Sequence, residues 1–450
     1  MTLDIHSPLD GRLVGWLPTA AKEDVASAVL TARAVQPGWA RVPAADRGSA
    51  LRSMADTLRT HATDLATIVE TETGRPLRSA REGVLAGAST LDQYAELGPL
   101  RGGRTLLGNP DALDFMMPEP RGVVIALTPW NDPVAIACGL LGAALVTGNA
   151  VVHKPSERCP HAGLLLGQLL TDHLPDGVLQ TLLGDGEVGE FLAGDAHVDV
   201  VAHVGSTATG RSIAEAAART GAKALLENGG NDPMVVDADV DPEWAAGQTA
   251  LGAFTNAGQL CTAVERVFVH RAVAAPFLDA LVAEANRWNE NPQPLVDGRH
   301  RDHVHAQVVE AVADGAQVLV GGELPAGDGA HYPATVLARC TPDMRVMREE
   351  TFGPVAPVCV VEDFDQGLAL ASVDVYGLAA TVLTGSTSHA QTAWRTLPVG
   401  TVKVNAVFGG APGGAAQPRK ASGTGFGYGP ELLDEMTTTK VVHLEPLPGS

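Results

Sequence analysis

Apolar residues recur along the chain with two different periods, and the change between them divides it. Asp24 to Ala34 and Ala44 to Glu72 carry apolar residues at helical spacing with Arg, Asp and Glu between them. This predicts two helices after a turn-rich start, the second ended by Gly74, Arg75 and Pro76. From Arg101 to Pro120 the pattern breaks into short pieces punctuated by Gly and Pro. One of them, Ala112 to Met117, reads as a β excursion rather than a helix.

From Gly122 the two periods alternate. Strands are predicted at Gly122 to Thr128, Ala150 to His153, Val178 to Leu183, Asp199 to Val204 and Lys223 to Leu226. Helices are predicted between them at Pro133 to Thr147, Pro160 to His173, Glu187 to Ala193 and Thr209 to Thr220. Such alternation implies parallel βαβ units wound on both faces of a sheet. After Gly229 a second α/β region runs to about Gly400, with a helix at Glu243 to Thr255, a strand at Arg266 to His270 and a helix at Val273 to Trp288. The polar stretch Asn289 to Arg301 reads as a surface loop, and Thr437 to Leu444 alternates like an edge strand. Gly409 to Ala416 is a Gly/Ala cluster, and no internal repeat is visible.

Composition narrows the class. With 450 residues, 45% apolar and 18% charged, the chain is long enough for two or three cooperating units and is not disordered. Asp and Glu total 52 against 31 Lys and Arg, a formal net charge of -21. That sign repels nucleic acid and anionic membrane surfaces, so neither is expected as a partner. Cys138, Cys159, Cys261, Cys340 and Cys359 are widely spaced, with no C-x-x-C pair and no metal-ligand cluster. The odd count and the lack of a secretory signal point to free thiols in a cytoplasmic protein, with no bound metal.

Ligands of doubly wound sheets bind beyond the carboxyl ends of the strands, so those turns were searched. After the first strand, Thr128-Pro129-Trp130-Asn131-Asp132-Pro133 opens a helix. Asn131 there either caps the helix or donates into the crevice as an oxyanion stabiliser. After the second, Lys154 is either a surface lysine or a ribose or phosphate ligand. Gly205-Ser206-Thr207-Ala208-Thr209-Gly210 lets backbone approach a pyrophosphate at a helix N-terminus, although it is not the G-x-G-x-x-G fingerprint. Leu226-Glu227-Asn228-Gly229-Gly230 places a carboxylate beside two glycines at a strand end. Cys261 follows a polar, Gly-containing approach and begins an apolar strand, unlike the other four cysteines.

In order and spacing these turns resemble the aldehyde dehydrogenase superfamily over nearly the whole chain. The motifs are Pro129-Trp130-Asn131, Lys154-Pro155-Ser156, Gly205-Ser206-Thr207, Glu227 with Gly229-Gly230, and Gly258-Gln259-Leu260-Cys261. Pro8-Leu9-Asp10-Gly11 precedes them. Glu349-Glu350-Thr351-Phe352-Gly353-Pro354, Tyr376-Gly377-Leu378-Ala379-Ala380 and Lys420-Ala421-Ser422-Gly423-Thr424-Gly425 follow. The resemblance implies an α/β fold with a doubly wound Rossmann-type cofactor domain (1–100 and 121–228) and an α/β catalytic domain (229–421). It adds a small β oligomerisation element (101–120 and 430–450), hence a homodimer or homotetramer.

The resemblance also implies roles. Cys261 would attack the aldehyde, Asn131 would stabilise the oxyanion, and Glu227 would activate the water that releases the carboxylic acid. NAD would lie against Trp130, Lys154, Ser156, Glu157, Gly205, Ser206, Glu350 and Phe352. Glu157 opposes a 2′-phosphate and favours NAD; its neighbour Arg158 leaves NADP open. An acylating member would lack Glu227, and a silent homologue would lack Cys261, Glu227 or Asn131.

Three departures bear on the substrate. Asn228 and Asn231 stand where the family has Leu and Lys. Asp132 stands where many members have Phe, so it would either line the substrate tunnel with negative charge or cap the helix. Ala415-Ala416-Gln417-Pro418-Arg419 lacks the usual aromatic, and Arg419 would recruit an anion if it pointed inward. A small or polar aldehyde is expected, with a cationic aminoaldehyde favoured by Asp132.

Overall fold

The computed structural model describes residues 2–411 and 413–447. Pro412 of the Gly/Ala cluster and the last three positions of the expected oligomerisation element lie outside the described residues. The start is a hairpin, β1 (Thr2–His6) and β2 (Leu13–Pro18), followed by helices α1 (Lys22–Ala40), α2 (Ala44–Thr60), α3 (Ala62–Thr73) and α4 (Leu77–Leu97). The single helix expected over Ala44 to Glu72 is therefore two. His61 ends the first at φ -98 and ψ 17, and its Nδ1 meets Asp64 Oδ2 at 3.1 Å in the first turn of the second. Helix α4 escaped the sequence reading because small residues carry much of its period: Ala80, Val84, Ala88, Leu91 and Ala95 form the buried stripe.

Strands β3 (Arg104–Leu106) and β4 (Leu113–Pro120) precede the first large sheet. Its elements are β5 (Val123–Leu127), α5 (Pro133–Val146), β6 (Ala150–Lys154), α6 (Pro160–Thr171), β7 (Leu179–Thr181), α7 (Gly186–Ala193), β8 (Val200–Val204), α8 (Thr207–Thr220) and β9 (Lys223–Glu227). The second sheet is built from β10 (Asp232–Val236), α9 (Pro242–Phe254), β11 (Val264–His270), α10 (Ala274–Asn289), α11 (Gly298–Ala313), β12 (Gln317–Val320), β13 (Thr335–Ala338), β14 (Val355–Val361), α12 (Phe364–Ser372), β15 (Ala379–Leu383), α13 (Thr387–Thr396) and β16 (Thr401–Val404). The chain closes with β17 (Gly423–Thr424), α14 (Glu431–Glu435) and β18 (Thr437–Leu444).

Strand order is β17-β9-β8-β5-β6-β7 in the first sheet and β12-β13-β14-β11-β10-β15-β16 in the second. All neighbours are parallel except β17 on β9 and β12 on β13. Strands β5 and β6 are buried throughout because helices cover both faces, which is why they read as apolar runs rather than alternating ones. Helix α5 is apolar on nearly every side for the same reason. A third sheet, β18-β4-β3, is antiparallel, with β18 and β4 paired over their full lengths.

The stretch expected as a surface loop is a correction. Leu295 and Val296 are buried, and Asp297 caps α11 by accepting from the His300 N–H at 2.7 Å. Among the described residues no helix is long and apolar enough to cross a membrane.

Candidate active site

A cleft of about 740 Å³ opens where the carboxyl ends of β5, β6, β8 and β9 face the loops that lead into the second sheet. It gathers Asn131, Glu227 and Cys261 together with Trp130, Lys154, Ser156, Glu157, Gly205, Ser206, Glu350 and Phe352. Residues scattered over more than two hundred positions of sequence are thus brought to one space.

On the first-sheet side the turns themselves do the positioning. Lys154 is the last residue of β6, and its buried Nζ donates to the Gly184 carbonyl at 2.8 Å and the Pro155 carbonyl at 3.1 Å. Glu157 Oε2 stands 3.9 Å from it. Ser206 caps α8 by accepting from the Thr209 N–H at 3.2 Å. The remaining first-turn N–H groups of that helix have no helical acceptor, which suits an anion. Arg158 Nε pairs with Asp297 Oδ2 at 3.2 Å, and its guanidinium lies over the Trp130 ring.

Cys261 ends a tight approach. Asn256 and Ala257 both have φ of 53, a left-handed conformation that costs about 1–2 kcal/mol per non-glycine residue. Gly258 follows at φ 74, and a Cβ there would meet the Gly353 carbonyl at 2.2 Å. The buried Gln259 holds this loop in place. Its Nε2 donates to Asn256 O at 2.9 Å, and its Oε1 accepts from the Val296 N–H at 2.8 Å. Asn131 Nδ2 donates to Gln259 O at 3.1 Å, which fixes the amide beside the cysteine loop and leaves its second hydrogen for a ligand oxygen.

The Cys261 side chain is exposed to the cleft, yet the protein surrounding it deep in that cleft pushes the thiol up to about 12, with Glu227, Asp232 and Glu350 adding to the rise. At neutral pH it therefore rests as a thiol and needs a base. Glu227 is the last residue of β9, and burial raises its carboxyl to about 7, opposed by the hydrogen bond that Glu227 Oε1 accepts from the Gly427 N–H at 3.0 Å. Only glycine fits at 427 beside this rotamer, since a Cβ there would lie 2.1 Å from Glu227 Cγ.

The second-sheet side is held by buried charge. Glu350 Oε1 accepts from the Gly230 N–H at 3.0 Å, and Phe352 meets Trp130 edge-on with ring centroids 5.6 Å apart. Behind them Glu265, fully enclosed, accepts from the Thr351 N–H at 2.6 Å and the Phe352 N–H at 2.8 Å. Burial raises both carboxyls, and the two backbone donors on Glu265 work against that rise. Phe352 has φ of 52, so this loop is also strained and depends on its clamp.

Asp132 and Arg419 do not join the cleft. Asp132 Oδ2 pairs with Arg75 Nη1 at 3.0 Å, and the same guanidinium nitrogen donates to the Asn131 carbonyl at 2.8 Å. The carboxylate is thus ion-paired beneath α4. Arg419 is exposed beside Gly377, whose carbonyl accepts its backbone N–H at 3.0 Å. The sequence reading also missed His203, Glu265, His300 and Gly427. Of these, His203 carried a signal as the one polar residue of an otherwise apolar strand, and Glu265 a weaker one as a carboxylate beside Arg266 in a largely apolar strand.

The sequence profile of the aldehyde dehydrogenase family matches residues 1–442. Among solved structures the chain is similar to the lactaldehyde dehydrogenase of Escherichia coli, at 30% identity and TM-score 0.95 over 99% of this chain and 96% of that one. It is similar to the betaine aldehyde dehydrogenase of Staphylococcus aureus in complex with NAD+, at 30% identity and TM-score 0.96 over 100% and 92%. A 3,6-anhydro-L-galactose dehydrogenase in complex with NAP matches at 32% identity and TM-score 0.94 over 99% and 96%.

Proposed function

The chain belongs to the aldehyde dehydrogenase family, and from that premise we propose that it oxidises a small or polar aldehyde to its carboxylic acid with NAD(P) as acceptor. The observation that carries this reading is the meeting of Cys261, Glu227 and Asn131 in a cleft whose remaining wall suits a dinucleotide. The fit of that wall rests on its donors, the Lys154 ammonium and the first-turn N–H groups of α8, and on the Glu350 carboxylate, which would accept from a ribose hydroxyl. When bound, the nicotinamide supplies the acceptor for the hydride that leaves the substrate carbon.

The protein's own part is as follows. Glu227 takes the thiol proton, and the Cys261 sulfur adds to the carbonyl carbon. The Asn131 amide donates to the resulting oxyanion of the thiohemiacetal. Loss of hydride leaves a thioester on Cys261. Glu227 passes that first proton to solvent and then draws one from water, whose oxygen attacks the thioester; the acid departs as this second proton returns to the Cys261 sulfur.

A small or polar substrate is supported by the stretch 409–419, which carries no aromatic side chain. With Asp132 paired to Arg75, a cationic aldehyde has no special claim. Glu157 at the cleft and the tying of Arg158 to Asp297 support NAD over NADP. We further propose the cytoplasmic location and the division into a cofactor domain, a catalytic domain and a pairing element. The exposed Val441 and Leu444 on β18 support assembly into a homodimer or homotetramer.

The test is NADH formation at stoichiometric enzyme over charged, polar, aromatic and aliphatic aldehydes, with Cys261→Ala alongside. A burst lost in the variant, with turnover reduced more than about a thousandfold, is expected. A burst that survives in Cys261→Ala overturns the assignment, and best turnover of long-chain aliphatic aldehydes overturns the substrate class.

A further inference from the structure

The end of β6 and the turn after it bring two cations to one wall of the cleft, and they are held in different ways. Lys154 directs its ammonium to the Gly184 and Pro155 carbonyls, with Glu157 Oε2 3.9 Å away. Arg158 is held from one side. Its Nε pairs with Asp297 Oδ2 at 3.2 Å, and its guanidinium carbon lies 5.4 Å from the centre of the Trp130 ring. Among the described residues its two Nη groups donate no hydrogen bond, and neither is enclosed. The side chain is nonetheless only 19% exposed, so this guanidinium is seated in the wall and does not wave in solvent.

The seat comes from both halves of the molecule. Asp297 begins α11 on the second-sheet side: its Oδ1 caps that helix at the His300 N–H, and its Oδ2 takes Arg158. The guanidinium thus has its Nε edge on a carboxylate and its face on an indole, and its Nη edge is left for a third partner.

Positive charge is what the cleft is short of. Glu157, Glu190, Glu215, Glu227 and Glu350 line it, against Lys154, Arg158 and Arg219. Arg219 lies in the last turn of α8, at the opposite end from the open first-turn N–H groups. A diphosphate carries two negative charges, which a lining so rich in carboxylates would repel. The planar fork of an arginine meets phosphate oxygens two at a time, as an ammonium cannot. We propose that Arg158 binds the diphosphate of the dinucleotide, with Asp297 as the positioning residue that aims it.

This rests on the cofactor reading above and adds a residue to it. It also separates Arg158 from the choice between NAD and NADP, because the diphosphate is common to both. Burial lowers the guanidinium's pKa and Asp297 opposes that fall, yet arginine stays charged at any working pH. An anion on the Nη groups shares the guanidinium with Asp297 and so joins the two walls across the bound ligand.

Binding of NAD, NADP, ADP-ribose and adenosine is titrated calorimetrically against the full chain and its Arg158→Gln, Arg158→Lys and Asp297→Asn variants. The melting temperature of each protein is measured without ligand. In Arg158→Gln the three diphosphates should lose affinity together, each Kd rising about 10- to 100-fold, the equivalent of a hydrogen bond to a charged group. Adenosine, which has no phosphate, should bind as before. Arg158→Lys should recover part of the loss, since it keeps the charge without the fork. Asp297→Asn can still cap α11, and should show a smaller rise for the same three ligands.

A rise confined to NADP overturns the inference in favour of a 2′-phosphate contact. Kd values for NAD and ADP-ribose within about twofold of the parent's in Arg158→Gln overturn it outright. An equal loss for adenosine, with a lowered melting temperature, overturns it in favour of a structural role. If Arg158→Gln does not fold, Arg158→Lys carries the same comparison, with a smaller rise expected. Failure of the parent itself to bind any of the three diphosphates overturns the cofactor reading, and the inference with it.

Discussion

The two large sheets meet at one cleft but offer it opposite ends of their strands. The first presents carboxyl ends: Thr128 after β5, Lys154 closing β6, Gly205 after β8 and Glu227 closing β9. The second presents the segments that enter its strands: Gly229 before β10, Cys261 before β11, and Glu350 and Phe352 before β14. The general rule for doubly wound sheets covers only the first. The methods of holding differ too. First-sheet turns are short and are fixed by helix caps and strand ends. Second-sheet loops adopt left-handed conformations at Asn256, Ala257 and Phe352, and are held by enclosed side chains such as Gln259 and Glu265. Strain stored at a site persists only where its surroundings over-determine it.

Glu227 offers the largest test, because it belongs to the first sheet yet is proposed to act on a thioester held by the second. Glu227→Gln should slow both the NADH burst and the hydrolysis that follows it, by about 10²–10⁴-fold. In the parent the hydrolytic step should rise with pH through about 7, since Glu227 serves as base only after losing its proton. The Gln variant should show no such limb. Gly427→Ala sharpens the point: its new Cβ displaces the carboxylate from its buried seat, so the limb should move to lower pH. Stopped-flow traces across pH measure both. An unshifted limb would mean that the seat at Gly427 does not set the base's titration.

Glu265 tests the second sheet's dependence on a buried clamp. Glu265→Gln keeps one acceptor for the Thr351 and Phe352 N–H groups and turns an amide donor toward the other. The loop carrying Glu350 and Phe352 should loosen, raising the cofactor KM about tenfold, the equivalent of one lost hydrogen bond to a charged group. The aldehyde KM should hardly move. A fall in kcat with both KM values unchanged would mean that Glu265 acts on the chemistry and not on the loop.

The same contrast explains what could be read from the sequence. The first sheet was legible strand by strand, because β5, β6 and β8 are apolar runs bounded by polar turns, and β–α alternation there is regular. Cys261, Glu227 and Asn131 were singled out through motif order, not through periodicity. The loop residues of the second sheet were not legible: Leu295 and Val296 look like part of a polar linker until Gln259 is seen bonded to the Val296 N–H. His203 hid in plain view, since one polar residue in a strand does not alter its period. The partner of Asp132 was not legible because Arg75 lies 57 positions earlier, just past the end of a helix, and no local pattern announces the pair.

In that pair the first sheet uses the second sheet's method. Arg75 joins the Asp132 carboxylate to the Asn131 carbonyl, so an ion pair braces the turn that carries Asn131. Asp132→Asn should cost about 1.5–3 kcal/mol of stability, the range for a hydrogen bond to a charged group. Asn131 is also held by Gln259, so turnover should fall by less than about tenfold, less than for the substitutions above. The ratio of kcat/KM for cationic against neutral polar aldehydes should stay the same, because the carboxylate faces Arg75 and not the cleft. A ratio that collapsed in the variant would return Asp132 to the substrate path. An unchanged ratio with a lowered melting point would leave it as an ionic brace of the first sheet, placed beneath the turn that carries Asn131.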